Sequence, residues 1–267
     1  MGDGAGRNPL PIRAWRQLCD ALSRKGREHV CSRQHKYERR YPRGAFAVIY
    51  QLQFGDLLPY WDVLLQGLVF TIVLTVVSTI AGIAVGTACA SARTFGPKWL
   101  GAVVVIYVEL IRNTPFIVQL FFIFFGLPAA GVKLSESTAA FIAMTVNLGA
   151  YSTEIIRAGI EAVPKGHIEA GVSLAMSKWE VLRHVVLKQA FRKIYPALSS
   201  QIIIVMLGSA VVSQISAPDL TFAANFVQSR NFRAFEVYLL AALLYLLLAI
   251  VTRALLRGLG RRLFKAG

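Results

Sequence analysis

The chain has 267 residues, of which 55% are hydrophobic and only 16% are charged. A soluble domain carries about 25% charged residues, so this composition excludes an ordinary soluble protein and indicates an integral membrane protein. The formal net charge of +15 follows the positive-inside bias of membrane proteins, because the basic residues lie in alternate loops. Nucleic-acid binding is not expected.

The first predicted domain is a tail, residues 1–50, in which 1–43 are basic and have little hydrophobic pattern. This composition predicts a disordered tail. An alternative is that the true start lies near Phe46 and that the residues before it are not translated. Five spans with a cytosolic C-terminus would put a translated tail outside, against the charge rule, so both alternatives stay open. Residues 45–60 are too broken to span and predict a short interfacial helix.

The second predicted domain, residues 51–267, is an all-α integral membrane helical bundle. A span needs about 20 mainly apolar residues, and about five transmembrane helices are predicted, near 61–92, 99–125, 137–157, 197–216 and 235–256. Gly82 and Gly86 have a spacing that permits close helix approach. Pro115 predicts either a kink in the second helix or an amphipathic turn at the membrane surface. Residues 221–234 predict a polar segment on the outer side.

A polar, basic loop at about 158–195 separates the third and fourth spans. Pro164 breaks the preceding helix, and Ser177 with Glu180 has the spacing of a capping box. These features predict two short helices, 168–175 and 178–193, lying across the membrane face. An apolar stripe follows the second one, at Trp179, Leu182, Val186 and Ala190. The loop is either a linker on lipid headgroups or a docking element for a soluble partner.

The positions of the basic residues predict the orientation of the chain. Lysines and arginines concentrate in the 158–195 loop, in the C-terminal segment 253–265, and at Arg93 and Lys98. These are alternate loops on one face, which the positive-inside rule makes cytosolic. We therefore predict a multi-pass membrane protein with a cytosolic C-terminus.

The loop and its surroundings resemble the transmembrane permease subunit of bacterial ABC importers of the polar amino acid uptake family. The family loop reads Glu-Ala-Ala, three residues, Gly, nine residues, Ile, one residue, Leu-Pro. Three positions of this chain match, Glu169, Ala170 and Leu187, whereas Gly171, Ala175, Val185 and Lys188 depart from it. Further resemblance lies in residues 112–115, 119–122, 163–166 and 216–221.

The resemblance implies an ABC type I importer transmembrane domain of the bacterial inner membrane that imports polar amino acids, or related compounds such as opines, at the expense of ATP. It implies two ATP-binding subunits, a second permease subunit in a homodimer or heterodimer, and a periplasmic substrate-binding protein. The ATPase would be coupled through Glu169, Ala170, Gly171, Ala175, Met176 and Leu187. The chain has no Gly-x4-Gly-Lys-Ser/Thr motif of its own, so a separate subunit must hydrolyse ATP. We expect no enzyme activity and no cofactor.

Polar residues at membrane depth are candidates for a substrate pathway. Asn147, Tyr151 and Glu154 share one face of the third span and could hold an amino acid. Alternatively, Glu154 pairs with Arg157, three residues on. Ser209, Ser213 and Gln214 add polar groups in the fourth span, where they could equally bond the helix backbone.

Two other functions fit the sequence less well. A secondary transporter driven by an ion gradient usually has more spans and inverted repeats, and the sequence shows neither. A membrane-bound lipid-modifying enzyme would need clustered catalytic Asp, His or Arg residues, and none is evident. Neither the three cysteines nor the histidines have the spacing of a metal site. The only other expected contact is membrane lipid.

Overall fold

The computed structural model describes residues 52–263, which contain helices and no β-strand. Contacts divide the chain into Met1–Leu52 and Gln53–Gly267, and only the second unit is considered below. The predicted tail and the start near Phe46 lie outside the described residues. Of the predicted interfacial helix, the described part forms a 3₁₀ helix, Phe54–Tyr60.

Eight further helices follow in chain order. They are α1 (Trp61–Phe95), α2 (Lys98–Arg112), α3 (Phe116–Ala129), α4 (Glu136–Glu161), α5 (Lys165–Ser173), α6 (178–215), α7 (Leu220–Asn231) and α8 (Ala234–Leu263). Within α6, a π-helical turn at Val181–Val186 precedes Leu187–Gly208, and the last segment, Ser209–Ile215, is 3₁₀. Four stretches are long and apolar enough to cross a membrane, and α2 with α3 would add a fifth. The predicted all-α membrane bundle of about five spans is confirmed.

Helices α1 and α4 approach closely through small residues. A Cβ atom added at Gly82 would lie 2.9 Å from the Cβ of Leu148, and one added at Gly86 would lie 2.6 Å from the Cβ of Ser152. Both glycines are buried. Because lipid tails are as apolar as the side chains, such close van der Waals contact is a main source of helix association in a membrane. The predicted role of this glycine pair is confirmed.

The second predicted span is not one continuous helix, because α2 and α3 meet at 110°. Pro115 has no N–H group and disfavours helical geometry at Thr114. The Asn113 amide and the Thr114 hydroxyl bond to the carbonyl oxygens of Glu109 and Leu110, both at 2.8 Å. The bend borders Asn147, near the middle of α4, which favours a kink within the bundle over the alternative of a turn at the membrane surface.

The predicted boundary at Pro196 is also wrong, because α6 runs through this proline as one helix. Pro196 removes one backbone hydrogen bond, a loss that transmembrane helices tolerate when neighbouring helices pack around it. Ala190, Ile194 and Leu198 are buried on both sides of Pro196 and pack into one cluster with residues of α4. The second loop helix and the fourth span therefore form a single rod.

The three basic segments lie at the same end of the bundle. Ala90 near the end of α1, Val163 after α4 and Val181 in α6 belong to one buried cluster. The hydroxyl of Tyr195 in α6 donates to the carbonyl oxygen of Leu256 in α8, at 2.6 Å. This arrangement matches the prediction that the basic loops share one face of the membrane.

At the opposite end, the segment predicted to be polar and external forms α7. Leu220, Ala223, Ala224 and Val227 are buried in a cluster with residues from α1 and α8. Asp219 caps α7 by accepting from the Phe222 amide at 2.8 Å, and its second oxygen accepts from the Tyr245 hydroxyl at 3.0 Å. The Asp219 side chain is thus a buried anchor for this end of the bundle.

Stability should depend on pH through Asp219. Burial raises the pKa of this carboxyl from 3.8 to about 6, so the folded protein binds this proton more tightly than the unfolded chain does. The contribution of Asp219 to the free energy of unfolding therefore falls as the pH rises from 3.8 to about 6, and this contribution is lost above that pH. We expect the melting temperature of Asp219→Asn, which keeps the cap, to fall less between pH 4.5 and 6.5 than that of wild type. Equal falls in melting temperature for wild type and Asp219→Asn over this pH range would contradict the raised pKa of Asp219.

Candidate functional site

A cavity of about 410 Å³ lies where the α2–α3 bend faces α4 and α6. Thr114, Pro115 and Phe116 line it from the bend. Its other walls come from α4, through Met144, Asn147 and Tyr151, and from α6, through Gln201, Ile204, Val205 and Gly208. The bend itself creates the space, because a straight second span would carry its backbone past α4 without turning away. The cavity combines apolar walls with uncharged hydrogen-bonding groups.

Gln119 holds the bend in place. Its amide nitrogen donates to the carbonyl oxygens of Ile111 and Thr114, at 2.7 and 2.9 Å, and its amide oxygen accepts from Asn147 at 3.0 Å. The side chain is buried, so these bonds satisfy groups that Pro115 leaves without helical partners. Sequence reasoning did not assign Gln119 a role. The sequence feature that could have pointed to this role is an amide residue, Gln119, in an apolar run four positions after Pro115.

Asn147 and Tyr151 are the two predicted pathway residues that line the cavity. Asn147 is oriented by its bond to Gln119. The guanidinium of Arg112 lies 5.8 Å from the centre of the Tyr151 ring, a cation–π distance. Both side chains are half-buried, so each contacts a neighbour and still borders the cavity.

Glu154, the third residue on that face, is engaged in ion pairs. Its carboxylate accepts from Arg93 at the end of α1 and from Arg157, whose Nη2 lies 2.9 Å away. Arg157 also pairs with Glu161. The sequence alternative of a Glu154–Arg157 pair is therefore present, and Arg93 joins it. The cluster ties the basic ends of α1 and α4 together and is not part of the cavity lining.

The three polar residues predicted in the fourth span are not brought together with Asn147. The Ser209 hydroxyl donates to the Met206 carbonyl at 2.7 Å, and the Ser213 hydroxyl donates to the Ala210 carbonyl at 2.8 Å. Both serines are buried, whereas Gln214 is exposed. Both serines therefore bond to the backbone of their own helix, which is the alternative that the sequence left open.

Helices α5 and α6 meet in a sharply defined turn at the basic end. The Glu180 amide donates to the Ser177 hydroxyl, and the Glu180 carboxylate accepts from the Ser177 amide at 2.8 Å. This is the predicted capping box. The hydrogen bonds from Ser177 hold the pKa of the Glu180 carboxyl below its ordinary value. Pro164 immediately precedes α5, as its lack of an N–H group allows.

One face of α5 packs on the bundle. Gly171 is buried, and a Cβ atom there would lie 3.0 Å from a methyl carbon of Val181. Met176 and Leu187 are half-buried against the same cluster. These three predicted coupling residues therefore fix α5 to the start of α6.

The other face of α5 is exposed and partly apolar. It carries two of the predicted coupling residues, Glu169 and Ala170. Val172, Leu174 and Trp179 are also exposed, by 60%, 77% and 63% of their surface. Trp179 thus departs from the predicted stripe, whose other members, Leu182, Val186 and Ala190, are buried. Exposed apolar side chains in the same short segment as a carboxylate favour a protein-binding surface.

Ala175, the sixth predicted coupling residue, terminates α5 in a left-handed conformation with φ +59°. The Met176 amide bonds to the Gly171 carbonyl and the Ala175 amide to the Val172 carbonyl, which is the Schellman pattern. Glycine is the usual residue at this position, because an L side chain in that region costs about 1–2 kcal/mol. The departure from the family motif is therefore a point of local strain.

Ala175→Gly should stabilise α5 by about 1 kcal/mol, because glycine removes this strain. Hydrogen exchange of the α5 amides should slow by roughly fivefold in the variant. Ala170→Gly is the matched control, since Ala170 lies inside the same helix and should exchange faster when replaced. Faster exchange in Ala175→Gly would contradict the strained cap.

Among residues 52–263, no group of three or more His, Cys, Asp or Glu side chains could hold a metal ion. In the described part of the chain, α6 connects the cavity at the α2–α3 bend with the exposed helix α5.

Comparison with known proteins identifies the family. Residues 78–265 match the family model described as the binding-protein-dependent transport system inner membrane component. The chain is 34% identical over 215 residues to the glutamine transport system permease protein GlnP of Escherichia coli strain K12, covering 80% of this chain and 98% of that protein. It is 38% identical over 211 residues to the L-cystine transport system permease protein TcyB of Bacillus subtilis strain 168, covering 77% and 90%.

Solved structures agree with this assignment. A crystal structure of an amino acid ABC transporter with histidines contains a chain that is 36% identical, with a TM-score of 0.72, covering 80% of this chain and all of that one. An inward-facing structure of the MetNI methionine ABC transporter has the same fold, with a TM-score of 0.62 at 20% identity over 77% of this chain and 98% of that one. The resemblance predicted from the sequence is confirmed, and the chain belongs to the inner membrane components of binding-protein-dependent transport systems, as an ABC transporter permease subunit and not an enzyme.

Proposed function

We propose that this chain forms part of the translocation pathway for ATP-driven import of polar amino acids or closely related compounds. Support comes from relatives that are named for glutamine and L-cystine transport. The basic end of the bundle, with the C-terminus, faces the cytosol, because Lys and Arg accumulate on that side of membrane proteins. Residues 1–50 are a separate tail, and 51–267 are the transmembrane domain.

The observation that carries this proposal is the continuity of α6. Its first turn holds α5 through Gly171 and Val181, and the same helix supplies Gln201, Val205 and Gly208 to the cavity wall. A force applied to α5 is thus transmitted along a rod to the cavity, without a flexible joint at Pro196. Such a connection is what coupling between ATP hydrolysis and a transport pathway requires.

The exposed face of α5 is the docking surface for an ATP-binding subunit. Glu169 and Ala170 contact that subunit, and Val172 and Leu174 add apolar area. Gly171, Ala175, Met176 and Leu187 hold the shape of the loop at about 158–195. The complete transporter contains two ATP-binding subunits, a second permease subunit in a homodimer or heterodimer, and a periplasmic binding protein that selects the substrate.

Asn147 and Tyr151 are the substrate-contacting residues in the cavity. Their amide and hydroxyl groups, with the nearby Gln201, suit the polar groups of an amino acid. A contact of Glu154 with substrate stays a prediction, because its carboxylate is paired with Arg93 and Arg157. Ser209 and Ser213 shape the end of α6, and a contact of Gln214 with substrate stays a prediction.

Replacing Asn147 should impair transport without disturbing assembly. In proteoliposomes of the complete transporter, we expect Asn147→Leu to lower uptake of labelled glutamine or cystine by about tenfold, because an amide contact is worth about 1–1.5 kcal/mol. Asn147→Gln, which keeps the amide, should retain more uptake. Wild-type uptake by Asn147→Leu, with the ATP-binding subunit bound normally, would contradict the proposed pathway.

A further inference from the structure

A second cavity, of about 550 Å³, lies between α6 and α8 at the basic end of the bundle. It is separate from the bend cavity and shares none of its lining residues. Tyr195 forms its floor, where the ring would lie 2.4 Å from a Cβ atom added at Gly260. This close contact, with the hydrogen bond from Tyr195 to Leu256, joins the two helices and fixes the shape of the cavity.

Four arginines surround this cavity and no acidic residue lines it. Three of them, Arg253, Arg257 and Arg261, recur every four residues along α8 and so form one row, about 6 Å apart along the helix axis. Arg192 adds a fourth guanidinium from α6. Within residues 52–263, none of the three α8 arginines has a carboxylate within ion-pair distance. The three α8 arginines are exposed, so this row of positive charge is accessible to a negatively charged ligand.

Hydroxyl groups on α6 complete the polar lining. Ser199 and Ser200 line the cavity beside Tyr195. The hydroxyl oxygen of Ser199 is buried and has no hydrogen-bond partner within the described part of the chain. Because that oxygen is buried, the hydroxyl that is available to a phosphate oxygen is that of Ser200, which is exposed. Guanidinium groups and a hydroxyl donor together are suited to a phosphate group.

An apolar groove continues from the same arginines towards the middle of the membrane. It has a volume of about 250 Å³ and is lined by Leu246, Ala249, Ile250 and Ala254, and it shares Arg253 and Arg257 with the arginine cavity. Free phosphate would leave this groove unfilled. A phospholipid would place its headgroup among the arginines and one acyl chain along the groove.

We propose that the α6–α8 cavity is a binding site for the phosphate headgroup of an anionic phospholipid in the cytosolic leaflet. Basic pockets between transmembrane helices at this depth are suited to such headgroups. Because Tyr195 and Arg192 lie about two turns before Gln201, where α6 reaches the bend cavity, the bound lipid braces α6 against α8. The site rests on the membrane orientation proposed above and not on the transported substrate.

Lipid binding can be measured without transport. The full chain, co-purified with its ATP-binding subunit in detergent, is titrated with phosphatidylglycerol or phosphatidylcholine, and bound lipid is counted by native mass spectrometry. We expect tighter binding of phosphatidylglycerol, and a loss of about tenfold or more in Arg253→Gln/Arg257→Gln, the scale set by removing two arginines from an anionic headgroup. The control Arg183→Gln/Arg262→Gln makes the same charge change outside the cavity and should bind like wild type.

Several outcomes would overturn the site. Equal binding of the two lipids, or equal losses in the cavity and control variants, would leave only general attraction to charge. Displacement of phosphatidylglycerol by equimolar inorganic phosphate would assign the cavity to a free anion. Dissociation of permease subunits in the cavity variant, with lipid binding unchanged, would assign this face to a second subunit. Each result is independent of uptake, so failure of the transport proposal would remain distinguishable.

Discussion

Glu169→Arg should separate the permease from its ATP-binding subunit while leaving the permease in the membrane. Glu169 lies on the exposed face of α5, in the segment that also exposes Val172 and Leu174. If this carboxylate is buried against the ATPase, reversing its charge costs about 2–5 kcal/mol. We therefore expect at least a tenfold loss of co-purified ATP-binding subunit and a comparable loss of uptake. The variant should insert normally, because the side chain makes no contact with the bundle core.

The matched control is Glu136→Arg, the same charge reversal at an exposed position at the opposite end of α4. It should co-purify with the ATPase like wild type. Normal co-purification and transport in Glu169→Arg would remove α5 from the docking role. A loss of both variants from the membrane fraction would instead show that insertion, and not docking, is sensitive to these charges.

Gly86→Ala should destabilise the bundle, because the added methyl group would lie 2.6 Å from the Cβ of Ser152 and 3.0 Å from backbone atoms of α4. Backbone cannot move aside as a flexible side chain can, so α1 and α4 must separate. Overpacking of this kind costs about 1–3 kcal/mol, and we expect a fall of several degrees in the melting temperature of the purified protein.

Gly258→Ala should not destabilise the bundle, in contrast to Gly86→Ala. No atom lies within 4 Å of the added methyl group in α8, and alanine favours a helix over glycine by roughly 1 kcal/mol. This variant should therefore melt at the same or a higher temperature than wild type. If Gly86→Ala were as stable as Gly258→Ala, the close α1–α4 contact would not be a determinant of stability.

The elements that local chemistry specifies could be predicted from the sequence. The break at Pro164, the capping box of Ser177 and Glu180, and the close approach at Gly82 and Gly86 each depend on a few residues and a fixed geometry. Apolar runs also gave the approximate spans. The family was recognisable although Ala175 replaces the usual glycine of the loop, since a Schellman turn still forms there with the alanine at positive φ.

Features that depend on neighbouring helices could not be predicted in the same way. Pro196 would end an isolated helix, but packing of Ile194 and Leu198 carries α6 through it. The 110° bend needs Gln119 to satisfy carbonyl oxygens that Pro115 releases, and a sequence does not show which amide will reach them. Glu154 has a partner in sequence, Arg157, and a second one 61 residues away, Arg93. Long-range contacts of this kind follow from the assembled bundle.

The continuity of α6 changes how the loop at 158–195 should be understood. Sequence reasoning describes two short helices resting on the membrane face, which could move independently of the spans. In the structure only α5 is a separate short helix, and the segment after Ser177 is the start of a span. Docking on α5 would therefore act directly on the helix that borders the bend cavity.

Uptake by reconstituted transporter tests the central claim most directly. Proteoliposomes would contain this permease, its partner permease where one is required, and the ATP-binding subunit, with labelled amino acid outside and ATP inside. Our account predicts uptake only when both ATP and the binding protein are present, and loss of that uptake in Glu169→Arg. Equal uptake without ATP would contradict it, because the chain would then move its substrate without the docking on α5 that we propose.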